Sequence, residues 1–133
     1  MATHKVLKSS ESDDAKVGAL LDAHAQSNGL EFKRYCYHIE QDGKLIAGIT
    51  AWAIGPDVHI DTLAVADKAQ RQGLGAELLA HVENQARQDG CTTASVDTFT
   101  HQAPDYYPRH GYSIVFRYPL DDGSERIYFS KRL

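Results

Sequence analysis

Apolar residues recur along the chain at two periods, and the changes between them mark out the elements. Residues 3–8 read as a first strand. Val17, Leu20, Leu21 and Ala25 then repeat at helical spacing. Asp13 and Asp14 suit the positive end of that helix, and Asn28-Gly29 ends it. Phe32 to Glu40 is rich in aromatic and β-favouring residues, and Asp42-Gly43 after it is a hairpin signal. Lys44 to Ile54 is apolar at both alternating sets of positions, which predicts a central strand covered on both sides. Gly55-Pro56-Asp57 marks a turn, and Val58 to Val65 a further strand.

The period then changes. Leu74, Leu78, Leu79, Val82 and Ala86 form a helical stripe, closed by Gly90 where a helix C-terminal glycine belongs. Thr93 to Phe99 reads as a strand. Ala103 to His110 reads as a short helix with Pro104 in its first turn. Tyr112 to Tyr118 is a strand, Asp121-Asp122-Gly123 a turn, and Arg126 to Leu133 a last strand. The predicted order is β-α-β-β-β-α-β-α-β-β, a mixed α/β domain. There is no repeat, low-complexity tract or linker, so residues 1–133 are expected to form one domain.

Composition narrows the class. The chain is 42% hydrophobic and 24% charged, ordinary for a globular domain. No apolar run approaches the roughly 20 residues that cross a bilayer, and Met1 to Lys5 does not resemble a signal peptide. A cytoplasmic protein with no membrane role is therefore expected. Cys36 and Cys91 form no C-x-x-C and read as two reduced, partly buried thiols. The seven histidines show no metal-ligand spacing, so no metal is expected. A formal charge of −4 disfavours nucleic acid and mildly favours a cationic substrate.

The chemistry concentrates in Leu63-Ala64-Val65-Ala66-Asp67-Lys68-Ala69-Gln70-Arg71-Gln72-Gly73-Leu74-Gly75-Ala76. This stretch runs from strand through loop and glycines into a helix. Gly73 and Gly75 let backbone amides approach a ligand closely. They also open a helix whose first amides lack internal partners, an arrangement suited to phosphate. The ordinary alternative is a plain helix start. The stretch lacks the Lys-Ser/Thr of a P-loop and is too short for a dinucleotide fingerprint.

Q-x-x-G-x-G directly after a strand ending L-A-V resembles the acetyl-CoA signature of the GNAT superfamily. Thr98-Phe99-Thr100-His101-Gln102-Ala103-Pro104-Asp105-Tyr106-Tyr107-Pro108-Arg109-His110-Gly111-Tyr112 resembles the later motif of the same superfamily. There an aromatic-Tyr pair precedes x-x-x-Gly-aromatic. The closing Tyr128 to Leu133 looks like the last strand of bacterial members, and the likeness covers roughly residues 30–133. It implies the GNAT fold, a mixed and mostly antiparallel sheet flanked by helices. It also implies an N-acetyltransferase that takes acetyl-CoA as co-substrate. Leu63, Ala64, Val65, Gln70, Arg71, Gln72, Gly73, Leu74, Gly75 and Ala76 would then hold the cofactor, the loop amides on the pyrophosphate and the strand backbone on the pantetheine arm. Edge strands near the C-terminus often pair between subunits in this superfamily, which allows a homodimer. Two departures stand out: Ala66 and Asp67 occupy positions where a proline is common, and Pro108 follows the key tyrosine. Pro108 removes a backbone donor and disfavours helical geometry at Tyr107.

Acetyl transfer to an amine poses two proton problems. Freeing the lone pair of an alkylammonium at pH 7 costs about 4.6 kcal/mol, from about 3.4 pKa units. The departing thiolate must then be protonated, and a phenol near pKa ~10 can do so against a thiol near ~8.5 at a cost of about 2 kcal/mol. By resemblance Tyr107 is that general acid; a packed tyrosine is the ordinary alternative, as for Tyr106. His59 and Asp61 are the candidate base or amine-binding groups, because residues two apart in a strand share a face. The position of His59, four before Leu63, often carries Glu or His in the family. Asp97 is a third candidate. By resemblance a backbone amide near Leu63 to Val65 serves the developing oxyanion. Trp52 either packs in the core or lines an acceptor pocket. The expected acceptor is a small-molecule primary amine. A protein lysine or N-terminus, and an acyl-CoA-binding module without turnover, are the alternatives, since a fold does not name a substrate.

Overall fold

A computed structural model of the chain describes residues 3–102 and 104–133. Two compact units are present, Met1–Phe32 and Lys33–Leu133. In the first, residues 3–10 carry neither strand nor helix, against the expected first strand. The stretch has only two apolar side chains, Val6 and Leu7, and both are exposed, so nothing is gained by extending it. Helix α1 (Glu11–Ser27) starts at Ser10, whose backbone N–H donates to Asp13 Oδ2 at 2.9 Å in a capping box. Asn28 caps its end and Gly29 follows at φ 73°. Of the predicted stripe only Ala25 is buried; Val17, Leu20 and Leu21 are each more than half exposed.

The second unit holds a sheet of β1 (Phe32–Gln41), β2 (Lys44–Ile54), β3 (Asp57–Val65), β4 (Thr93–Phe99), β5 (Ser113–Pro119) and β6 (Glu125–Arg132). The strand order is β1-β2-β3-β4-β6-β5. The pairs β2·β3, β4·β6 and β5·β6 are antiparallel and β3·β4 is parallel. Between β3 and β4 runs helix α2 (Leu74–Gln88), preceded by one 3₁₀ turn at Asp67–Ala69. α2 buries Leu78, Leu79, Val82 and Ala86 against Ala47, Ile49, Ala51 and Ala53 of β2 and Val58 and Ile60 of β3. One face of β2 is therefore covered. Its other face carries Thr50 in the open and a half-buried Trp52, not the two-sided cover that its composition predicts. That second face carries Ile46, Gly48, Thr50, Trp52 and Ile54, none of them buried.

Two further expectations change. The segment after Phe99 is not a helix from 103 to 110: turns run through 104–107 and a 3₁₀ turn covers Pro108–His110. Ala103 lies outside the described residues. Pro108 occupies the first position of its turn, where a missing N–H leaves nothing unpaired, and Tyr107 takes helical angles of φ −68° and ψ −38° despite the proline after it. Cys91 is buried but Cys36 is exposed, and both are free thiols. Every residue of the edge strand β5 is exposed. No helix among the described residues is long and apolar enough to cross a membrane. Because Leu79 is 2% exposed at the α2–sheet contact, Leu79→Ala should cost about 2–5 kcal/mol in denaturant unfolding; a loss under about 0.5 kcal/mol would mean that α2 does not pack as described.

Candidate active site

Strand β3 contains a bulge. Thr50 pairs with Thr62 and Ala51 with Ile60, so Asp61 is the extra residue. Val58 and Ile60 face the core before it, and Leu63 and Val65 after it. The bulge therefore breaks the shared face expected of His59 and Asp61. His59 lies beside Trp52 on the side away from α2, with ring centroids 5.2 Å apart, whereas Asp61 borders a cleft.

That cleft has a volume of about 970 Å³ and forms where β3 and β4 part. The two strands pair from Asp57↔Thr93 to Ile60↔Val96 and no further, although β3 runs on to Val65 and β4 to Phe99. The Ala66 amide donates to Ile46 at 2.8 Å on β2. Hydrogen-bonded and non-bonded pairs alternate in an antiparallel ladder, so Leu63 and Val65 point their N–H and C=O groups away from β2. These groups open on the cleft, where Val65 C=O accepts from Gln70 Nε2 at 3.3 Å. Of the residues expected to hold the cofactor, Leu63, Val65, Gln70, Arg71, Gly73, Leu74, Gly75 and Ala76 line the cleft; Ala64 faces a separate groove between β1, β2 and β3, and Gln72 lines neither.

The start of α2 supplies the other wall. Gly73 stands at its N-cap with φ 77°, and Arg71 before it also has a positive φ of 67°. The first intrahelical bond runs from the Glu77 amide to Gly73 C=O at 3.0 Å, which leaves the earlier amides of the turn without helix partners. A Cβ on Gly75 would lie 2.8 Å from Tyr106 Oη, so the close approach of that phenol requires glycine. Free amides, the two glycines and the positive end of the helix dipole fit the pyrophosphate of acetyl-CoA, and the outward backbone of β3 fits an extended amide-bearing arm.

Tyr107 also lines the cleft. It is 7% exposed and packed against Tyr106, Tyr112 and Phe129. Tyr112 is anchored in turn: its hydroxyl donates to buried Glu83 at 2.7 Å, and Lys131 Nζ donates to the same carboxylate at 2.8 Å. Burial pushes the Tyr107 phenol up from 10.0 to about 12, with Tyr106 and Asp97 adding to the rise. It stays protonated at neutral pH but is a weaker acid than a free phenol.

A polar row crosses the sheet beside the cleft. Asp57 accepts from Thr93 and Ser95, each at 2.7 Å. Because Ser95 Oγ donates to Asp57, it accepts from His59 Nδ1–H at 3.0 Å. His59 Nε2 then faces Asp97 Oδ1 at 3.4 Å, and Arg126 Nε donates to Asp97 Oδ2 at 2.8 Å. Asp97 lines the cleft and His59 does not, so His59 reaches it through Asp97. Sequence reasoning missed Thr98, Gln102, Tyr106, Arg109 and His110 as lining residues. It also missed the bulge, although the three-residue step from Ile60 to Leu63 signals it.

A parted parallel strand pair, a glycine-led helix start and a buried tyrosine thus meet in one cleft. The chain belongs to the acetyltransferase (GNAT) family, whose model matches residues 6–112. It is 34% identical over 84 residues to blasticidin-S acetyltransferase of Streptomyces morookaense, a match spanning 62% of each chain. An acetyltransferase from Bacillus cereus superposes with a TM-score of 0.73 at 24% identity, covering 98% of both chains. An aminoglycoside 6'-N-acetyltransferase complexed with coenzyme A does so with 0.69 at 15% identity, covering 92% of this chain and 81% of that one. At these identities the two structures attest the shared fold.

The raised Tyr107 value carries a stability signature. The unfolded phenol loses its proton near 10.0 and the folded one near about 12. Its contribution is full below the lower value and declines as pH rises through that window. Stability should fall less steeply with pH there in Tyr107→Phe than in the wild type, by up to about 1.4 kcal/mol per pH unit. Equal slopes in denaturant titrations across the window would show that folding does not hold this proton.

Proposed function

We propose that the protein transfers the acetyl group of acetyl-CoA to a primary amine of a small molecule, by direct attack within a ternary complex. The observation that carries this reading is the convergence on one cleft of outward backbone from Leu63 and Val65, free amides at the start of α2, and the Tyr107 phenol. Residues 1–133 act as one acetyltransferase domain in this reading. The blasticidin-S acetyltransferase relative supports a small-molecule acceptor.

Each residue has a stated task. The Gly73–Ala76 amides hold the pyrophosphate, with Arg71 and Arg109 nearby as countercharges. Leu63 and Val65 pair with the pantetheine arm, and one of their N–H groups steadies the carbonyl oxygen as it gains charge. Asp61 and Asp97 border the cleft as carboxylates and attract an ammonium. Asp97 passes the amine's proton to His59 Nε2, whose lone pair faces it when Nδ1–H is committed to Ser95. Tyr107 protonates the departing thiolate. With its phenol near about 12, the step from a thiol near ~8.5 is uphill by about 5 kcal/mol. That lies well within the roughly 16 kcal/mol barrier of an enzyme turning over about ten times a second.

An acetyl-CoA consumption assay against small amines, blasticidin S among them, tests the reading; no turnover with any amine would favour an acyl-CoA-binding module. Given a substrate, Tyr107→Phe should lower kcat by about 10²–10⁴ with acetyl-CoA affinity nearly unchanged. A rate within about threefold of wild type would assign the proton to water or another group. Asp61→Asn should raise KM for a cationic amine more than it lowers kcat. His59→Gln should remove one acidic limb of the kcat/KM profile that does not move between amines of different pKa. If every limb moves with the amine and both variants keep wild-type kinetics, neither residue handles the proton.

A further inference from the structure

Two hydroxyls in the cleft have no hydrogen-bond partner among the described residues. Tyr106 Oη and Thr98 Oγ1 are both shielded from solvent. Both residues line the cleft, and Thr98 is 6% exposed. A buried hydroxyl without a partner forfeits its hydration and gains nothing in exchange, so folded proteins rarely retain one. Two in one cleft suggest a shared cause.

Their positions are fixed. The Tyr106 ring is held edge-on by Tyr107, with centroids 5.2 Å apart, and against His110 at 4.5 Å. Its hydroxyl reaches the first turn of α2, where only the missing Cβ of Gly75 admits it. Burial raises this phenol above its ordinary range, which keeps it a donor at neutral pH. Thr98 stands on β4 two residues beyond Val96, the last residue to pair with β3. It shares the buried face of Ala94 and Val96, the side on which Leu63 and Val65 turn their side chains.

We propose that bound acyl-CoA supplies the missing partners: Tyr106 Oη donates to a pyrophosphate oxygen beside the α2 amides, and Thr98 Oγ1 pairs with an amide of the pantetheine arm between the parted strands. This rests on reading the cleft as the acyl-CoA site. It assigns Tyr106 a binding role distinct from that of Tyr107, and makes the two hydroxyls a cost to the free protein that the ligand removes.

Tyr106→Phe and Thr98→Val remove one hydroxyl each and keep the shape of the side chain. Calorimetry with acetyl-CoA and with acetylpantetheine, which lacks the pyrophosphate, separates the roles, and the Tm of each free protein reports the cost. Tyr106→Phe should weaken acetyl-CoA by about tenfold, as expected for a hydrogen bond to a charged oxygen, and leave acetylpantetheine unchanged. Thr98→Val should weaken both ligands by about fivefold. Neither Tm should fall. The proposal is overturned if either variant binds acetyl-CoA within about twofold of wild type, if Tyr106→Phe weakens both ligands alike, or if a free variant melts lower. A wild-type protein that binds neither ligand overturns the acyl-CoA reading itself, which sets that failure apart from the others.

Discussion

The structure depends on a place where hydrogen bonding stops. β3 and β4 are parallel neighbours only as far as Ile60 and Val96. Past that point β3 keeps its ladder with β2 and loses the one on its other side. An unpaired sheet edge inside a protein is normally covered or avoided. Here it forms one wall of a cleft, and the backbone of Leu63 and Val65 is its lining.

The other features serve that opening. The bulge at Asp61 shifts the alternation so that Leu63 and Val65 turn toward the core while their backbone faces the slot. It also moves Asp61 off the face of His59, so that Asp61 borders the cleft and His59 does not. α2 begins where the slot ends, so its free amides and the outward strand edge form one continuous surface. Glu83 joins α2 to Tyr112 and Lys131, and Tyr112 supports Tyr107. The phenol is thereby tied to the same helix whose first turn lines the cleft.

The sequence made the frame readable wherever local chemistry decides structure. Asp42-Gly43, the α2 stripe and the strands Lys44–Ile54 and Thr93–Phe99 follow from turn residues and periodicity, and each lies where it was expected. The glycine loop was legible because Gly73 needs a positive φ and Gly75 a missing side chain. Features decided by distant partners were not. Residues 3–8 hold only two apolar side chains, Val6 and Leu7, both exposed, and form no strand, and Pro104 suggested a helix where turns intervene. The His59–Asp97 contact joins two strands across 38 positions of sequence, as the residue numbers show, and no local pattern encodes it. Tyr106 read as an ordinary packed tyrosine because its hydroxyl meets Gly75, on another element.

The most direct test of the parted strands is amide hydrogen exchange, read residue by residue with and without acetyl-CoA. The Leu63 and Val65 amides point into the slot, and the Ala64 amide points at β2. Saturating acetyl-CoA should slow exchange at Leu63, Val65 and the first turn of α2 and leave Ala64 unchanged. Binding that leaves Leu63 and Val65 untouched, or that slows all three strand amides alike, would contradict the account.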